Sequence, residues 1–460
     1  MPVFIFLAHK MEKPMPSLLP VYMVYTSTKP EKIEKLEQLK DAIRREQVEA
    51  HFLCLCSGKL EANASIDFYG DDQRLSPRYR ISVVDTQRAK LISTFLVLVV
   101  STARSREWRY RTPQGHRKLR KEWQTDRLVL VFERPNQNYE NGLDGVKAEI
   151  GTFIRRLDTR VGDSGIYDIR MIEAKEIKVN GRSEINGKWK IEHETTNENI
   201  IKRLVFWDIC ETDRQLYEDV HCEAYLKTGK SNKLLIDKKN LAYYVDCMQI
   251  ASLSLSDKLL LTRTDVRCEI AIVGMGGGLL AAYILHHFKR ARLTVVELDP
   301  DVVDIAIKHF SFPKNDTRVK ILKLKALEFL KKAAAKPEDE KYDVLFVDVS
   351  IRKNAILHCP PKDFLTEEVL VKMKNSLKEK GMLSLVAKGA EAPKNIANVF
   401  SRLYKFQSCE GVKEVIIGKK TERAAFELTM PQKLINAVCE DLGSYDDIVD
   451  AISRIESIDF

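Results

Sequence analysis

The stretch IAIVGMGGGLL, residues 270–280, decides the fold. An apolar run of strand character ends at Val273. Four glycines follow at 274, 276, 277 and 278, and an apolar run of helical character resumes at Leu279. A dinucleotide-binding turn needs glycine at the first, third and sixth positions. Counted from Gly274, the sixth position is Leu279, so that fingerprint is broken. A tight strand-to-helix turn with no ligand has to be weighed against a turn built for some other molecule.

The spacing that holds is G-x-G-x-G, through Gly274, Gly276 and Gly278. This is the pattern of class I S-adenosylmethionine enzymes, in which no pyrophosphate is cradled. Bare backbone lets the amino-acid part of the cofactor approach the helix N-terminus, where a Cβ would intrude and a positive φ would cost most other residues. The next strand, LTVVELDP, ends in Glu297, 19 residues after Gly278. A carboxylate at that strand tip can accept both ribose hydroxyls. Asp299, two residues on, is expected to cap the helix beginning PDVVDIA. YDVLFVDVS ends its strand at Asp348, where the crevice of such sheets opens. An acid there can orient an amine or accept its proton, so Asp348 is the candidate catalytic residue. Asp343, at the other end of that strand, reads as structural.

Outward from the glycines, apolar strands alternate with helical patterns: EIAIVG, LLAAYILHHF, LTVVEL, PDVVDIAIKHF, RVKILKL, ALEFLKKAAA, YDVLFVDV, EEVLVKMKNSL and GMLSLVA. That rhythm predicts a doubly wound α/β sheet over 236–460, with FQSCEGVKEVIIGKKT as an antiparallel hairpin at its edge. Residues 89–235 read as a mixed connecting module. STFLVLVVS and DRLVLVFER are buried strands, and NGLDGVKAEIGTFIRRL is an amphipathic helix with Val146, Ile150, Phe153 and Ile154 on one face. KVNGRSEINGKWKIE carries Asn180-Gly181 and Asn186-Gly187, both read as hairpin turns, and Trp189 and Trp207 as core anchors. Residues 1–88 hold a strand VFIFL, a charged helix KPEKIEKLEQLKDAIRREQ and a strand RYRISVVDT.

The chain has 460 residues, 44% apolar and 31% charged, with a net charge of +9, which suits a soluble globular protein with ample core. The first residues, MPVFIFLAHKMEKP, lack the charged and apolar regions of a secretory leader. The longest apolar run, LISTFLVLVVSTA, is too short to span a bilayer. Nine cysteines form no zinc spacing and no disulfide framework, so no metal is expected and reduced thiols point to the cytoplasm. RSREWRYRTPQGHRKLRKEW sets eight Lys/Arg against two Glu. Without a nucleic-acid motif it reads as a solvated face, and nucleic acid is not an expected partner. His286 and His287 lack ligand spacing and read as ordinary helix residues.

Over its C-terminal 225 residues the chain resembles the spermidine-synthase-like class I methyltransferases, through VELDPDVVDIAIKHF and YDVLFVDV. STARSREWRYRTPQGHRKL, ERPNQNYENGLDGVKAEI, KRLVFW, NLAYYVDCMQIASL and HCPPKDFL extend the resemblance to the methyltransferase-like protein 13 family, which methylates elongation factor 1-alpha. That resemblance implies S-adenosylmethionine as cofactor, held by Gly274, Gly276, Gly278 and Glu297, with Asp348 at the acceptor. It implies elongation factor 1-alpha as substrate, through its N-terminal amine, and a homodimer. MPVFIFLAHKM is similar to the closing strand of the family's first catalytic domain, whose own cofactor turn is absent, so lysine methylation by that domain is not expected.

Two departures matter. Where the family has an Asp-Gly whose acid accepts the adenine amino group, this chain has Lys325-Ala326. An ammonium cannot accept, and a lost charge-assisted contact costs about 1.5–3 kcal/mol. Where the family is acidic after Asp348, this chain has Ser350, Arg352 and Lys353. A binding protein that has kept only the fold is therefore one alternative. A polyamine aminopropyltransferase is another, though this basic loop suits a polycation poorly.

Overall fold

The structure is a computed structural model that describes residues 21–23, 31–33, 36–57, 63–70, 76–85, 94–102, 104–105, 107–134, 137, 139, 142–158, 168–172, 176–195, 199–209, 216–229, 233–256, 260–261, 264–353, 356–388, 391–406, 413–421 and 445–458. The expected strand VFIFL lies outside them. The chain divides into two compact units, Met1–Ile172 and Glu173–Phe460.

In the first unit a short strand pair, β1 (Val21–Met23) and β2 (Glu31–Ile33), precedes helix α1 (Leu36–Ser57). Then come β3 (Asn63–Phe68), β4 (Tyr79–Asp85) and β5 (Phe95–Val100), helices α2 (Trp108–Arg111) and α3 (Pro113–Glu122), β6 (Arg127–Glu133), α4 (Gly142–Leu157) and β7 (Asp168–Met171). The sheet runs β3-β4-β6-β5-β7 and draws strands from both sides of residue 88. Its central strands read FLVLVV and RLVLVFE because helices cover both faces. Phe52, Val146, Ile150, Phe153 and Ile154 of α1 and α4 pack on one face, and Tyr110 and Leu119 of α2 and α3 on the other. Helix α1 starts later than its charged stretch suggests and runs on through HFLCLC, because Phe52 and Cys56 bury against the sheet there. The basic segment is not simply a solvated face. Arg109 is 0% exposed and forms a bidentate pair with Glu122 at 3.0 and 3.1 Å, and Arg104 is buried against Glu107. Composition alone does not show that these charges neutralise one another, between α2 and α3 and in the loop before α2.

The second unit opens with an antiparallel sheet in the order β12-β11-β10-β9-β8. Its strands are β8 (Glu176–Ser183), β9 (Gly187–Thr195), β10 (Ile200–Ile209), β11 (Leu216–Thr228) and β12 (Leu234–Ile236). Asn186-Gly187 makes the β8–β9 turn, with Gly187 at φ +78°. Asn180-Gly181 does not turn. It lies within β8, opposite Lys190 and Trp189, because the bare Gly181 leaves room for the Trp189 indole: a Cβ there would fall 2.4 Å from the ring. Trp189 and Trp207 are half-buried on the sheet rather than sealed in a core. Gly181→Ala is expected to destabilise this unit by about 1–3 kcal/mol, the usual cost of overpacking. A denaturant midpoint equal to that of the native protein would show that the indole swings away freely.

Helix α5 (Tyr244–Ser252) leads to the main sheet, ordered β15-β14-β13-β16-β19-β21-β20-β22. In chain order these elements are β13 (Cys268–Val273), α6 (Leu279–His287), β14 (Ala291–Glu297), α7 (Pro300–Phe310), β15 (Val319–Lys323), α8 (Ala326–Ala334) and β16 (Tyr342–Val347). A small pair, β17 (Ile351–Lys353) and β18 (Ile356–His358), precedes α9 (Glu367–Asn375), β19 (Leu377–Ala387) and α10 (Glu391–Ala397). The sheet closes with β20 (Arg402–Phe406), β21 (Glu414–Lys419), α11 (Tyr445–Ile452) and β22 (Ile455–Ile458). Strands β15 to β19 are parallel, and β21, β20 and β22 are antiparallel. This is the doubly wound class expected for 236–460. The strand order reverses between β13 and β16, and at such a switch point a crevice opens beyond the carboxyl ends. Asp343 serves the opposite end, where its Oδ2 accepts from Glu269 N at 2.8 Å and from Lys378 Nζ at 3.0 Å.

Candidate functional site

The glycine turn hangs between the ends of three strands. Gly274 N–H donates to Val296 O at 2.9 Å, and Asp348 N–H donates to Val273 O at 2.9 Å. Gly274 sits at φ +94°, and a Cβ on it would lie 2.0 Å from Asp348 O. Gly278, at φ +71°, is the N-cap of α6 and passes under the Phe312 ring. The remaining two glycines face β11: a Cβ on Gly276 would stand 3.2 Å from His221 O, and one on Gly277 would stand 2.3 Å from Cys222 Sγ. Gly277, which the G-x-G-x-G spacing does not use, is therefore required by packing.

Glu297, at the tip of β14, is half-buried. Its Oε2 accepts from Met275 N and its Oε1 from Asp299 N, both at 2.9 Å. The carboxylate thus ties the glycine turn to the start of α7 and keeps a lone pair on each oxygen for further donors. Burial pushes its pKa above the usual carboxylate value, although these N–H groups pull the other way. Asp299 caps α7 as expected, its Oδ1 accepting from Asp301 N at 2.9 Å. Its Oδ2 also receives Asn186 Nδ2 at 2.6 Å and the Ser183 hydroxyl, so the β8–β9 turn is fastened beside Glu297.

Between the turn and β16 lies a cavity lined by His221, Cys222, Asp246, Gln249, Gly274, Met275, Gly276, Gly278 and Asp348, among others. Asp348 is partly exposed, with Lys413 Nζ 3.8 Å from its Oδ1 and Cys359 Sγ at 4.0 Å. Burial, and then the charge of Asp348, hold the Asp246 carboxyl well above the carboxylate range. Burial likewise lifts the Cys359 thiol to about 12, so it is no nucleophile at neutral pH. Gln249 is 1% exposed, and its Nε2 has no hydrogen-bond partner among the described residues. Such a donor needs an acceptor.

The structure thus gathers Gly274, Gly276, Gly278 and Asp348 around one cavity and links Glu297 to its floor through Met275. His221 and Cys222 come from β11, in the stretch read as a connecting module, and no periodicity in the main sheet points to them. Asp246 and Gln249 do leave a trace, as polar residues inside the otherwise apolar helix YVDCMQIAS. Lys325 is exposed at the N-cap of α8 and makes no side-chain cap bond. The side chains of Arg352 and Lys353 lie outside the described residues. His286 and His287 are partly exposed helix residues, His287 Nε2 lying 3.0 Å from Lys239 O. Among the described residues no cluster of His, Cys, Asp and Glu could hold a metal ion, and no helix is long and apolar enough to cross a membrane.

Three features fit the chemistry expected of S-adenosylmethionine: side-chain-free backbone at the turn, a carboxylate at the adjacent strand tip hydrogen-bonded to that turn, and a buried amide donor in the cavity wall. The spermine/spermidine synthase domain family matches residues 259–410. The eEF1A lysine and N-terminal methyltransferase homolog of Drosophila melanogaster is 27% identical over 445 residues, which cover 92% of this chain and 63% of that protein. The eEF1A lysine and N-terminal methyltransferase of Homo sapiens is 26% identical over 428 residues, 84% of this chain and 59% of that protein. The chain thus spans about three fifths of the length of these relatives. Among solved structures, human methyltransferase-like protein 13 in complex with SAH matches at 23% identity with a TM-score of 0.38, over 47% of this chain and 96% of that one. A probable spermidine synthase from Corynebacterium glutamicum matches at 15% identity with a TM-score of 0.42, over 62% of this chain and 91% of that one. Residues 259–410 thus match the spermine/spermidine synthase domain, and over 84–92% of its length the chain is similar to the eEF1A lysine and N-terminal methyltransferases.

Proposed function

We propose that the second unit is an S-adenosylmethionine-dependent methyltransferase acting on a protein amine, the N-terminal amine of eEF1A, in the cytoplasm. The observation that carries this reading is the Met275–Glu297 hydrogen bond. It locks a turn with three positive-φ glycines to a carboxylate at the adjacent strand tip. The names of the curated relatives support the choice of substrate.

Bound there, the cofactor supplies an electrophilic methyl group. Glu297 would receive the ribose hydroxyls, and the backbone of Gly274 to Gly278 would leave room for the amino-acid end. Asp348, on the facing wall, would orient the acceptor amine. Transfer of this kind depends on in-line placement more than on covalent help. The test pairs calorimetric titration with S-adenosylmethionine with mass spectrometry of eEF1A N-termini incubated with the protein and the cofactor. Saturable binding and a gain of methyl groups at the N-terminus are expected. Absence of binding at high micromolar cofactor would overturn the reading.

Lys325 favours a second reading, a relative that keeps the cavity as a binding protein. An exposed ammonium at the start of α8 offers the adenine amino group no acceptor. Cofactor binding with no gain of mass on eEF1A would decide for it.

A further inference from the structure

Asp348, in the cavity wall, has a buried cation beside it. Lys413 directly precedes β21, and its side chain is only 8% exposed. Its carbonyl accepts from Tyr244 OH at 3.4 Å, and its Nζ stands 3.8 Å from Asp348 Oδ1. The titratable groups around this ammonium are Asp219 of β11, Tyr243, Tyr244 and Asp246 at α5, Asp348 after β16 and Cys359 after β18, with a second cation, Lys388, near Cys359. Burial alone would lower the Lys413 pKa, but the Asp348 carboxylate, with Asp219 behind it, holds it well above the ordinary lysine value.

We infer that Lys413 is a specificity-determining residue, a resident cation at Asp348 that reserves the acceptor end of the cavity for amines entering without their proton. The inference rests on the proposed methyl transfer to an amine and narrows its acceptor. Without Lys413, an ionised Asp348 in the cavity wall, with Asp219 nearby, would attract any ammonium, linear polyamines and lysine side chains included. With Lys413 in place, Asp348 already has its counter-ion, and a second cation at that spot meets like-charge repulsion in a poorly solvated site. The amine that enters most readily is the one that sheds its proton most readily. An α-amine does so at a pKa of about 7.7–8.0 and a lysine ε-amine at about 10.4. That difference makes the neutral α-amine roughly a few hundred times more available at neutral pH. The neutral form is also the one with a lone pair to offer.

The experiment titrates the S-adenosylhomocysteine-loaded protein with two probes between about pH 6.5 and 8.5, a window that brackets the α-amine pKa. Pentaglycine amide carries a single α-amine, and N-acetyl-lysine amide a single ε-amine. For the native protein, pentaglycine amide is expected to bind roughly tenfold more tightly per pH unit below its pKa and to level off above it, with N-acetyl-lysine amide at least about 100-fold weaker. Lys413→Met is expected to shrink that preference to below about tenfold and to abolish or reverse the pH slope, because Asp348 then welcomes the protonated form. Lys413→Arg, which keeps the charge, should retain the native pattern. A native affinity that ignores pH or falls as pH rises overturns the inference. So does a Lys413→Met protein with the native preference and slope. If Lys413→Met does not fold, the native slope and Lys413→Arg decide alone. A protein that takes up no S-adenosylhomocysteine overturns the methyltransferase reading and this inference with it, whereas a loaded protein with the wrong amine profile overturns only the inference.

Discussion

Gly274→Ala should lower the stability of the second unit by about 2–6 kcal/mol and eliminate detectable S-adenosylhomocysteine binding. Two costs add. The backbone at Gly274 lies at φ +94°, where a side chain carries about 1–3 kcal/mol of strain. The new Cβ would also fall 2.0 Å from Asp348 O. That oxygen belongs to main chain held by the Asp348 N to Val273 O hydrogen bond, so it cannot rotate away as a side-chain tip could. Relieving such a clash costs about another 1–3 kcal/mol. Against a typical domain stability of about 5–15 kcal/mol, the unit should fold with a deformed turn. Gly276→Ala provides the scale. Its φ is also positive, but its Cβ would stand 3.2 Å from His221 O, a tight contact relieved by a shift of a few tenths of an ångström, so its loss should be mainly the strain cost. Chemical denaturation and calorimetry of the two variants measure the difference, and native-like binding by Gly274→Ala would count against a cofactor seated on this turn.

Glu297→Gln should weaken cofactor binding by about 10- to 100-fold, as loss of a charge-assisted acceptor worth about 1.5–3 kcal/mol implies. In this structure the carboxylate answers two backbone N–H groups, one on each oxygen. A carboxamide has one oxygen, so its NH2 must face either Met275 N–H or Asp299 N–H, donor against donor. A pH dependence follows from the same residue. Burial raises the Glu297 pKa above its ordinary value, and ribose hydroxyls need the ionised form. Cofactor affinity should therefore fall on acidification before the ordinary glutamate range near about 4.3 is reached. Stability runs the other way. A carboxyl with a raised folded-state pKa contributes stability that is fully present below the unfolded value and lost as pH rises through the folded one. Calorimetric titration from neutral to mildly acidic pH, on the native protein and on Glu297→Gln, separates these effects. The variant's profile should be flat where the native one falls, and parallel profiles would assign the pH response to another group.

The parts of the fold that the sequence discloses are those whose burial is uniform. Strands such as CEIAIV and YDVLFV are covered on both faces, so their residues are apolar almost without a break, and the intervening helices follow from strand-to-strand crossover. Glu297 and Asp348 stand out for the same reason, as acids at the ends of apolar strands. What stays hidden depends on contacts between stretches far apart in the chain. Asn180-Gly181 has the composition of a turn, yet it serves as the flat bed for Trp189 on the facing strand. Arg109 has the charge of a surface residue, yet Glu122 neutralises it in the interior. Lys413 lies in a segment readable only as an edge hairpin, and only the return of β21 alongside β19 carries it to Asp348. Local pattern cannot anticipate a pairing whose two members obey different local rules.

The contact between Gly277 and Cys222 carries a further consequence. Gly277 lies in the turn after β13 and Cys222 on β11, and a Cβ on Gly277 would fall 2.3 Å from the Cys222 sulfur. A side chain gained at position 277 would need a smaller residue at position 222, so a lineage that loses this glycine should change position 222 with it. A gene assembled by joining one relative's antiparallel stretch to another's glycine-bearing stretch would inherit two halves fitted to different partners. It would fail at that seam even with every residue of the chemistry in place.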